Sequence, residues 1–349
     1  MMRDLTLSVL DQSPIRKGGT AARALQETVE LAGVVERLGY KRYWVVEHHN
    51  TGSFAGTAPE ILIGQIAAHT SAIRVGSGGV MLSHYSALKV AETFSMLSAF
   101  YPGRIDVGIG RAPGSDRKTA AALAYPRAMG DLNAFPDQVA DLAGFLSGQL
   151  PAGHPFAGIE AQAGPPLSAS ETPDVWLLGS SDYSARLAAA LGLPFAFADF
   201  FGNAGDIGPR VAELYRRGFQ PSERLQTPKL TVAVHVICAD SDERAHYIAS
   251  SMRVAVAHLR TGAGGAPLLP PNEASSDDMA AAGGDFVAGF TRHFIEGSPE
   301  TVRRQFVDVA ERYETDDVTI ATNCYAFEDR LRSYQLVAEA FAPASSAAR

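Results

Sequence analysis

Short apolar runs alternate with longer segments of helical periodicity along this chain. A helix is predicted in seven of the segments between or after the runs, for example near 25–38, where Gly39 ends it, and over 86–100. Alternating βα units in this number favour a closed parallel (β/α)8 barrel, with an open, doubly wound sheet as the alternative. The predicted strands are 5–10, 43–46, 73–82, 104–110, 174–178, 195–198, 230–237 and 318–321.

Two long segments interrupt this alternation, after the fourth and after the seventh strand. Residues 111–172 are rich in Ala and Pro, and one helix is predicted in them, near 131–146. Residues 260–285 are rich in Gly, Pro and Ala and poor in large apolar side chains. The second segment is predicted to be a mobile lid over the barrel, with a surface loop of no function as the alternative. We expect a single barrel domain over 1–349.

Composition narrows the class of ligand. The chain has 349 residues, of which 46% are hydrophobic and 19% charged, as in folded globular proteins. Its net charge of −8, without any run of Lys and Arg interleaved with aromatics, disfavours nucleic acid and favours small molecules. Neither a signal-peptide pattern nor a long uncharged apolar stretch is present, which predicts a cytoplasmic location without membrane contact. Cys238 and Cys324 lie in apolar runs and are expected to be reduced core thiols.

In a (β/α)8 barrel the loops that follow the strands converge on one mouth, so polar residues there are the candidates for chemistry. These loops are rich in Ser, His and Gly and also contribute an arginine. The candidates are Asp11, Gln12, Ser13, His48, His49, Gly78, Gly79, Gly110, Arg111, Gly179, Ser180, Ser181 and Ser184.

The segment 179–184 joins a buried strand to a helix. Its amides and hydroxyls would face an anion at the helix N-terminus, and Arg111 at a neighbouring strand end would add a guanidinium. The pattern therefore predicts a phosphate site, with an ordinary serine helix cap as the alternative.

His48 and His49 directly follow the second strand. One imidazole can point into the mouth and serve in proton transfer, although paired histidines at strand ends are also found packed without function. Metal binding is disfavoured, since there is no HExxH motif. In 108–114 a proline replaces the third glycine of a dinucleotide-binding loop, which argues against a Rossmann site. The sequence contains no GxSxG motif, which argues against a serine hydrolase.

With these residues the chain resembles the luciferase-like flavin monooxygenases, in the group near the alkanal monooxygenase alpha chain. The likeness spans nearly the whole sequence. Its most specific parts are 47–49, 75–82, 103–111, and 179–184 ahead of 191–194.

The resemblance implies a role for each candidate. His48 would be the base or hydrogen-bond partner near the reduced flavin and its peroxide, with His49 as the second histidine. The Gly78–Gly79 bond matches a cis peptide beside the isoalloxazine, and 260–285 matches the lid. Gly110 replaces a reactive cysteine of luciferase, which puts light emission in doubt. The FMN phosphate would be held by Arg111, Ser181 and Ser184 with the nearby Gly179 and Ser180.

The resemblance also implies a reaction. Reduced FMN from a separate NAD(P)H:flavin reductase would react with O2 to a flavin C4a-hydroperoxide that oxygenates a small organic substrate. Three alternatives remain open: an NAD(P)H-dependent FMN oxidoreductase, a deazaflavin-dependent oxidoreductase on the same barrel, and a non-catalytic partner subunit. A homodimer through the helices near the second and third strands is expected.

Overall fold

The structure, a computed structural model, describes residues 4–112, 114–126, 131–164, 167–201, 207–261, 265–274 and 293–342. Its strands are β1 (Thr6–Asp11), β2 (Arg42–Val45), β3 (Arg74–Met81), β4 (Ile105–Gly110), β5 (Asp174–Gly179), β6 (Phe195–Ala198), β7 (Leu230–Cys238), β8 (Ile295–Gly297) and β9 (Asp317–Ala321). Its helices are α1 (Ala21–Arg37), α2 (Pro59–Ala68), α3 (Ala87–Phe100), α4 (Arg117–Ala124), α5 (Phe135–Ser147), α6 (Asp182–Ala190), α7 (Ile207–Gly218), α8 (Asp242–Thr261), α9 (Pro299–Tyr313) and α10 (Phe327–Phe341).

Eight parallel strands close into a barrel, which confirms the predicted (β/α)8 fold. β1 to β7 pair in chain order, and β9 closes the ring by pairing with both β7 and β1. The short β8 pairs only with β7, outside the ring, where Val236 lies opposite Ile295. Three residues are too few to show a strand pattern, so the sequence did not predict β8.

The inside of the barrel is filled by a small apolar cluster that includes Leu10, Trp44, Trp176, Ala196 and Ala233. The two tryptophan rings pack edge to face with centroids 5.1 Å apart. A larger core lies between the strands and the surrounding helices. Because the inner cluster combines two large rings with small alanines, it leaves open space above it, at the carboxyl ends of the strands.

The helix boundaries differ from the prediction in two places. The Thr57-Ala58-Pro59-Glu60 segment predicts a capping box, and this prediction is wrong: Ala58 is the N-cap of α2 and makes no side-chain capping hydrogen bond, although Pro59 does open the helix. The Ala-rich α4 was not predicted. Asp116 caps α4 by accepting a hydrogen bond from the Thr119 amide, and the few small side chains that α4 buries give it little amphipathic pattern.

The predicted lid, 260–285, lies partly outside the described residues, which here include only 260–261 and 265–274. The second of these stretches runs beside the loops after β1 and β2. The Leu268 amide donates to the Ile15 carbonyl, and the Gly52 amide donates to the Gly265 carbonyl.

Both cysteines are buried free thiols, as predicted. In the part of the chain that is described, no helix has the length and apolar character needed to cross a membrane.

Candidate active site

A cavity of about 1080 Å³, including the part open to solvent, lies at the carboxyl ends of the barrel strands. We call it the mouth cavity. Its floor is the apolar cluster inside the barrel, which contributes Leu10, Trp44 and Val46. The structure brings together at this cavity all the residues proposed for catalysis and cofactor binding, namely His48, Gly78, Gly79, Arg111, Gly179, Ser180, Ser181 and Ser184.

His48 enters the mouth cavity from the end of β2. Its backbone amide donates to the Gly56 carbonyl over 2.9 Å, and its ring packs against Phe54 with centroids 4.9 Å apart. Its Nδ1 is buried and has no hydrogen-bond partner among the described residues. Burial, and after it the neighbouring His49, lower the pKa of His48 to about 4. The imidazole is therefore neutral at pH 7, which is the form that can accept a proton.

His49 is held by the buried carboxylate of Glu47. The Nε2 atom of His49 lies 2.6 Å from Glu47 Oε1, which also accepts a hydrogen bond from the Tyr85 hydroxyl over 2.7 Å. Glu47 Oε2 accepts from the Met81 amide over 2.9 Å, which ties the loop after β2 to the end of β3. Glu47 belongs to the sequence motif 47–49, but the sequence alone assigns it no role. A carboxylate two residues before an imidazole was the signal available.

Gly78 and Gly79 are joined by a cis peptide bond, as the resemblance implied. The pairing of β3 with β4 shifts register between Gly78 and Val80. A β-carbon on Gly79 would lie 2.6 Å from the Gly108 carbonyl oxygen, and one on Gly78 would collide with Leu10. Only glycine allows so close an approach of neighbouring backbones at this wall of the cavity.

The opposite edge of the mouth cavity can receive an anion. Ser181, the N-cap of α6, is extended (φ −139°, ψ 164°) and makes no side-chain capping hydrogen bond within the described part of the chain. Ser184 is buried against Gly179, whose missing side chain makes room for it. The Arg111 guanidinium stacks 4.1 Å above the Tyr183 ring. Two hydroxyls, the first-turn amides of α6 and a guanidinium thus lie along one edge.

Residues 5–315 match the family of luciferase-like monooxygenases. The chain belongs to this family. A luciferase-like monooxygenase of Escherichia coli (strain K12) is 38% identical over 337 residues, 96% of each chain. An N-acetyl-S-alkylcysteine monooxygenase of Bacillus subtilis (strain 168) is 34% identical over 348 residues, 96% of this chain and 98% of the relative. The solved structure of apo-MsnO8 shares 38% identity and superposes with a TM-score of 0.86, covering 97% of this chain and 98% of that one.

More distant solved structures share only the fold with this chain. The oxygenating constituent of 3,6-diketocamphane monooxygenase from Pseudomonas putida, solved with FMN, is 18% identical with a TM-score of 0.69 and covers 97% of this chain and 99% of that one. An F420-dependent secondary alcohol dehydrogenase, solved with an F420-acetone adduct, is 14% identical with a TM-score of 0.67 and covers 97% of this chain and all of that one. The neighbours of this fold therefore include proteins that bind FMN and proteins that bind F420.

Asp11 and Ser13 are expected at the mouth, but both are buried inside the fold instead. Asp11 is fully buried and accepts hydrogen bonds from Arg330 over 2.6 Å and from the Ser13 amide over 2.7 Å. The Ser13 hydroxyl accepts from Thr28. Gln12 does line the mouth cavity.

Aromatic residues that sequence reasoning missed also line the mouth cavity. Phe200 and Phe201 follow β6, and their rings lie 4.6 Å apart. Their position directly after a strand was the only signal, because apolar loop residues carry no recognisable motif.

A buried histidine of β7 makes the stability of this protein depend on pH. Burial lowers the pKa of His235 to about 4, although its hydrogen bond to the Ala321 carbonyl opposes the shift. As pH falls below 6.5 the unfolded chain takes up a proton here that the folded chain does not. The free energy of unfolding should therefore drop by up to about 3 kcal/mol between pH 6.5 and pH 4.

Substitution of His235 isolates this contribution. His235→Phe preserves an aromatic ring between Phe200 and Phe294 but cannot titrate. Urea unfolding at a series of pH values should give a flatter profile for the variant in the window from about pH 6.5 to about pH 4. Parallel profiles for variant and wild type would contradict the assignment.

Proposed function

We propose that this chain is a flavin-dependent monooxygenase that uses reduced FMN and O2 to oxygenate a small organic substrate. The observation that carries the proposal is the mouth cavity, which has the neutral imidazole of His48 on one side and the anion-binding edge on another. The names of the two relatives described above, both monooxygenases at 34% identity or more, support the reaction class.

The residues present fit FMN. The apolar floor with Leu10, Trp44 and Val46 suits a flat aromatic ring system, and the N-terminus of α6 with Arg111 suits a phosphate. His48 lines the same cavity, and its buried Nδ1 has no hydrogen-bond partner among the described residues. Bound reduced FMN would supply the electrons and the activation of O2.

The chain's own residues then have three tasks. The apolar walls exclude water, which would otherwise compete with the substrate. The neutral imidazole of His48 accepts a proton from, or donates one to, a molecule bound beside it. Glu47 keeps His49 and the Met81 amide in place, so that the loop after β2 holds one geometry against β3.

We further propose that a separate NAD(P)H:flavin reductase supplies the reduced FMN, because 108–114 departs from the dinucleotide fingerprint at its third glycine position. Rapid NADH oxidation by the purified chain with FMN alone would instead favour the direct NAD(P)H-dependent oxidoreductase.

A homodimer through α2 and α3 is supported by exposed apolar side chains on these helices, Ile61, Met96 and Phe100, which are 69%, 58% and 72% exposed.

The phosphate edge can be tested directly. The double variant Ser181→Ala/Ser184→Ala removes two hydroxyls that face the anion, so the Kd for FMN should rise about tenfold or more. Titration monitored by quenching of flavin fluorescence measures this value. Ser86→Ala is the matched control, since Ser86 is the exposed N-cap of α3 and also makes no side-chain capping hydrogen bond in the described chain. Equal affinities of double variant and wild type would remove the proposed phosphate site. Tighter binding of a deazaflavin than of FMN would favour the deazaflavin-dependent alternative.

A further inference from the structure

A second cavity, which we call the side cavity, meets the mouth cavity at His48. It also measures about 1080 Å³ with its open part, and it lies between the loop after β2, the loop after β4 and helix α8. Of the described residues, His48 alone lines both cavities. A molecule in the side cavity and a molecule in the mouth cavity would therefore contact the same imidazole.

One wall of the side cavity is apolar. It is formed by Met252, Ala255 and Val256 of α8, with Phe54 and Leu268 beside them. These side chains are aliphatic, sulfur-containing or aromatic, and they offer dispersion contacts to an alkyl or aryl group without fixing its orientation.

The other wall is polar and carries one formal charge. Among the described residues that line the cavity, only Asp116 is charged apart from the histidines. Its carboxylate accepts three hydrogen bonds: from the Thr119 amide, the Thr119 hydroxyl and Asn50 Nδ2, over 3.0, 2.7 and 3.2 Å. The bonds from Thr119, and then the one from Asn50, lower the pKa of Asp116 to about 2. The group is therefore an anion at neutral pH, and because Asp116 is exposed, a hydrogen-bond-donating head group can reach it.

The organic substrate needs a place next to His48 that the cofactor does not fill. We propose that the side cavity is the substrate site and that it takes an amphipathic molecule with an apolar body and a hydrogen-bond-donating head, an amine or amide and not a carboxylate. The body packs on α8, the head donates to Asp116, and the atom to be oxygenated lies at His48. The role as substrate site rests on the proposed function. The binding of an amphipathic molecule in the side cavity does not depend on that function.

Three eight-carbon probes with different head groups test the proposal: octylamine, 1-octanol and octanoate. Calorimetric titration of the FMN-loaded wild type should show octylamine bound about tenfold or more tightly than octanoate, with octanol between them. Asp116→Asn should bring the amine and the carboxylate to within about threefold of each other, because it removes the charge. Asparagine is as good an N-cap as aspartate, so α4 should keep its start.

A space-filling substitution locates the binding site. Ala255→Trp should weaken octylamine binding about tenfold or more and leave FMN affinity unchanged. Tyr247→Trp is the matched control, because Tyr247 lies on the exposed face of the same helix; thermal unfolding verifies that both variants fold. Tightest binding of octanoate, or unchanged octylamine binding in Ala255→Trp, would overturn the proposal. Should FMN fail to bind the wild type, the proposed function fails, and the same titrations on the FMN-free protein still decide the side cavity.

Discussion

The variant His48→Ala should oxygenate substrate about two to four orders of magnitude more slowly than the wild type. The structure places His48 where the mouth cavity and the side cavity meet, with Nδ1 buried and unpartnered among the described residues. Because burial and His49 lower its pKa to about 4, the imidazole is in its neutral form at working pH. Alanine removes this proton acceptor without touching the anion-binding edge, so FMN affinity should change by less than about threefold.

The measurement is a single turnover with photoreduced FMN and the best substrate of a panel of alkyl amines, sulfides and aldehydes, with the oxygenated product quantified by mass spectrometry. His69→Ala is the control, since His69 is an exposed histidine at the end of α2 whose Nδ1 bonds to the Gln65 carbonyl. A His48→Ala rate above about a tenth of the wild-type rate would refute proton transfer by this residue. A loss of FMN binding would show that His48 acts on the cofactor site instead.

The variant Arg330→Met should lower the free energy of unfolding by about 3–5 kcal/mol. Arg330 of α10 is 2% exposed and donates to Asp11 at the end of β1 and to the Thr322 carbonyl over 2.6 and 2.7 Å. Burial alone would raise the pKa of Asp11, but the charge of Arg330 and the hydrogen bonds from Tyr43, Arg330 and the Ser13 amide outweigh it and lower the pKa. Methionine would leave a buried carboxylate without its counter-charge.

Urea unfolding of the purified variants measures this loss. Arg332→Met on the same helix is the matched control, because the side chains of Arg332 and its partner Asp240 are 45% and 76% exposed and their ion pair should contribute less than about 1 kcal/mol. The double variant Asp11→Leu/Arg330→Met should be more stable than Arg330→Met alone, since no unpaired charge stays buried. Similar losses for Arg330→Met and Arg332→Met would contradict the role given to this pair.

The strands could be predicted well because each carries its own signal. The central strands of a parallel barrel are buried on both faces, so they are continuous apolar runs with polar loop residues at their ends. β6 was predicted with its observed bounds, and β9 was placed to within one residue. β8 and α4 were missed because the first is too short and the second too rich in small residues to show a period.

The residues of the candidate site were predicted less evenly. Ser181, Ser184 and Arg111 follow strands, and the resemblance singled them out. The barrel fold alone was therefore enough to predict that they lie together at the mouth cavity. Which histidine of the pair enters the cavity was not decided by the residues alone. It depends on Glu47, whose carboxylate holds His49 through contacts with Met81 and Tyr85, 34 and 38 residues further along the chain.

The sequence by itself determined the barrel fold and the family. It also determined that the candidate site lies at the carboxyl ends of the barrel strands. These follow from local alternation of apolar and polar residues and from short motifs, which are properties of neighbours along the chain. Only the tertiary structure decided that Asp11 belongs to a buried ion pair with Arg330, 319 residues away, and that two cavities meet at His48. Such contacts depend on how distant segments pack, and no local pattern encodes them.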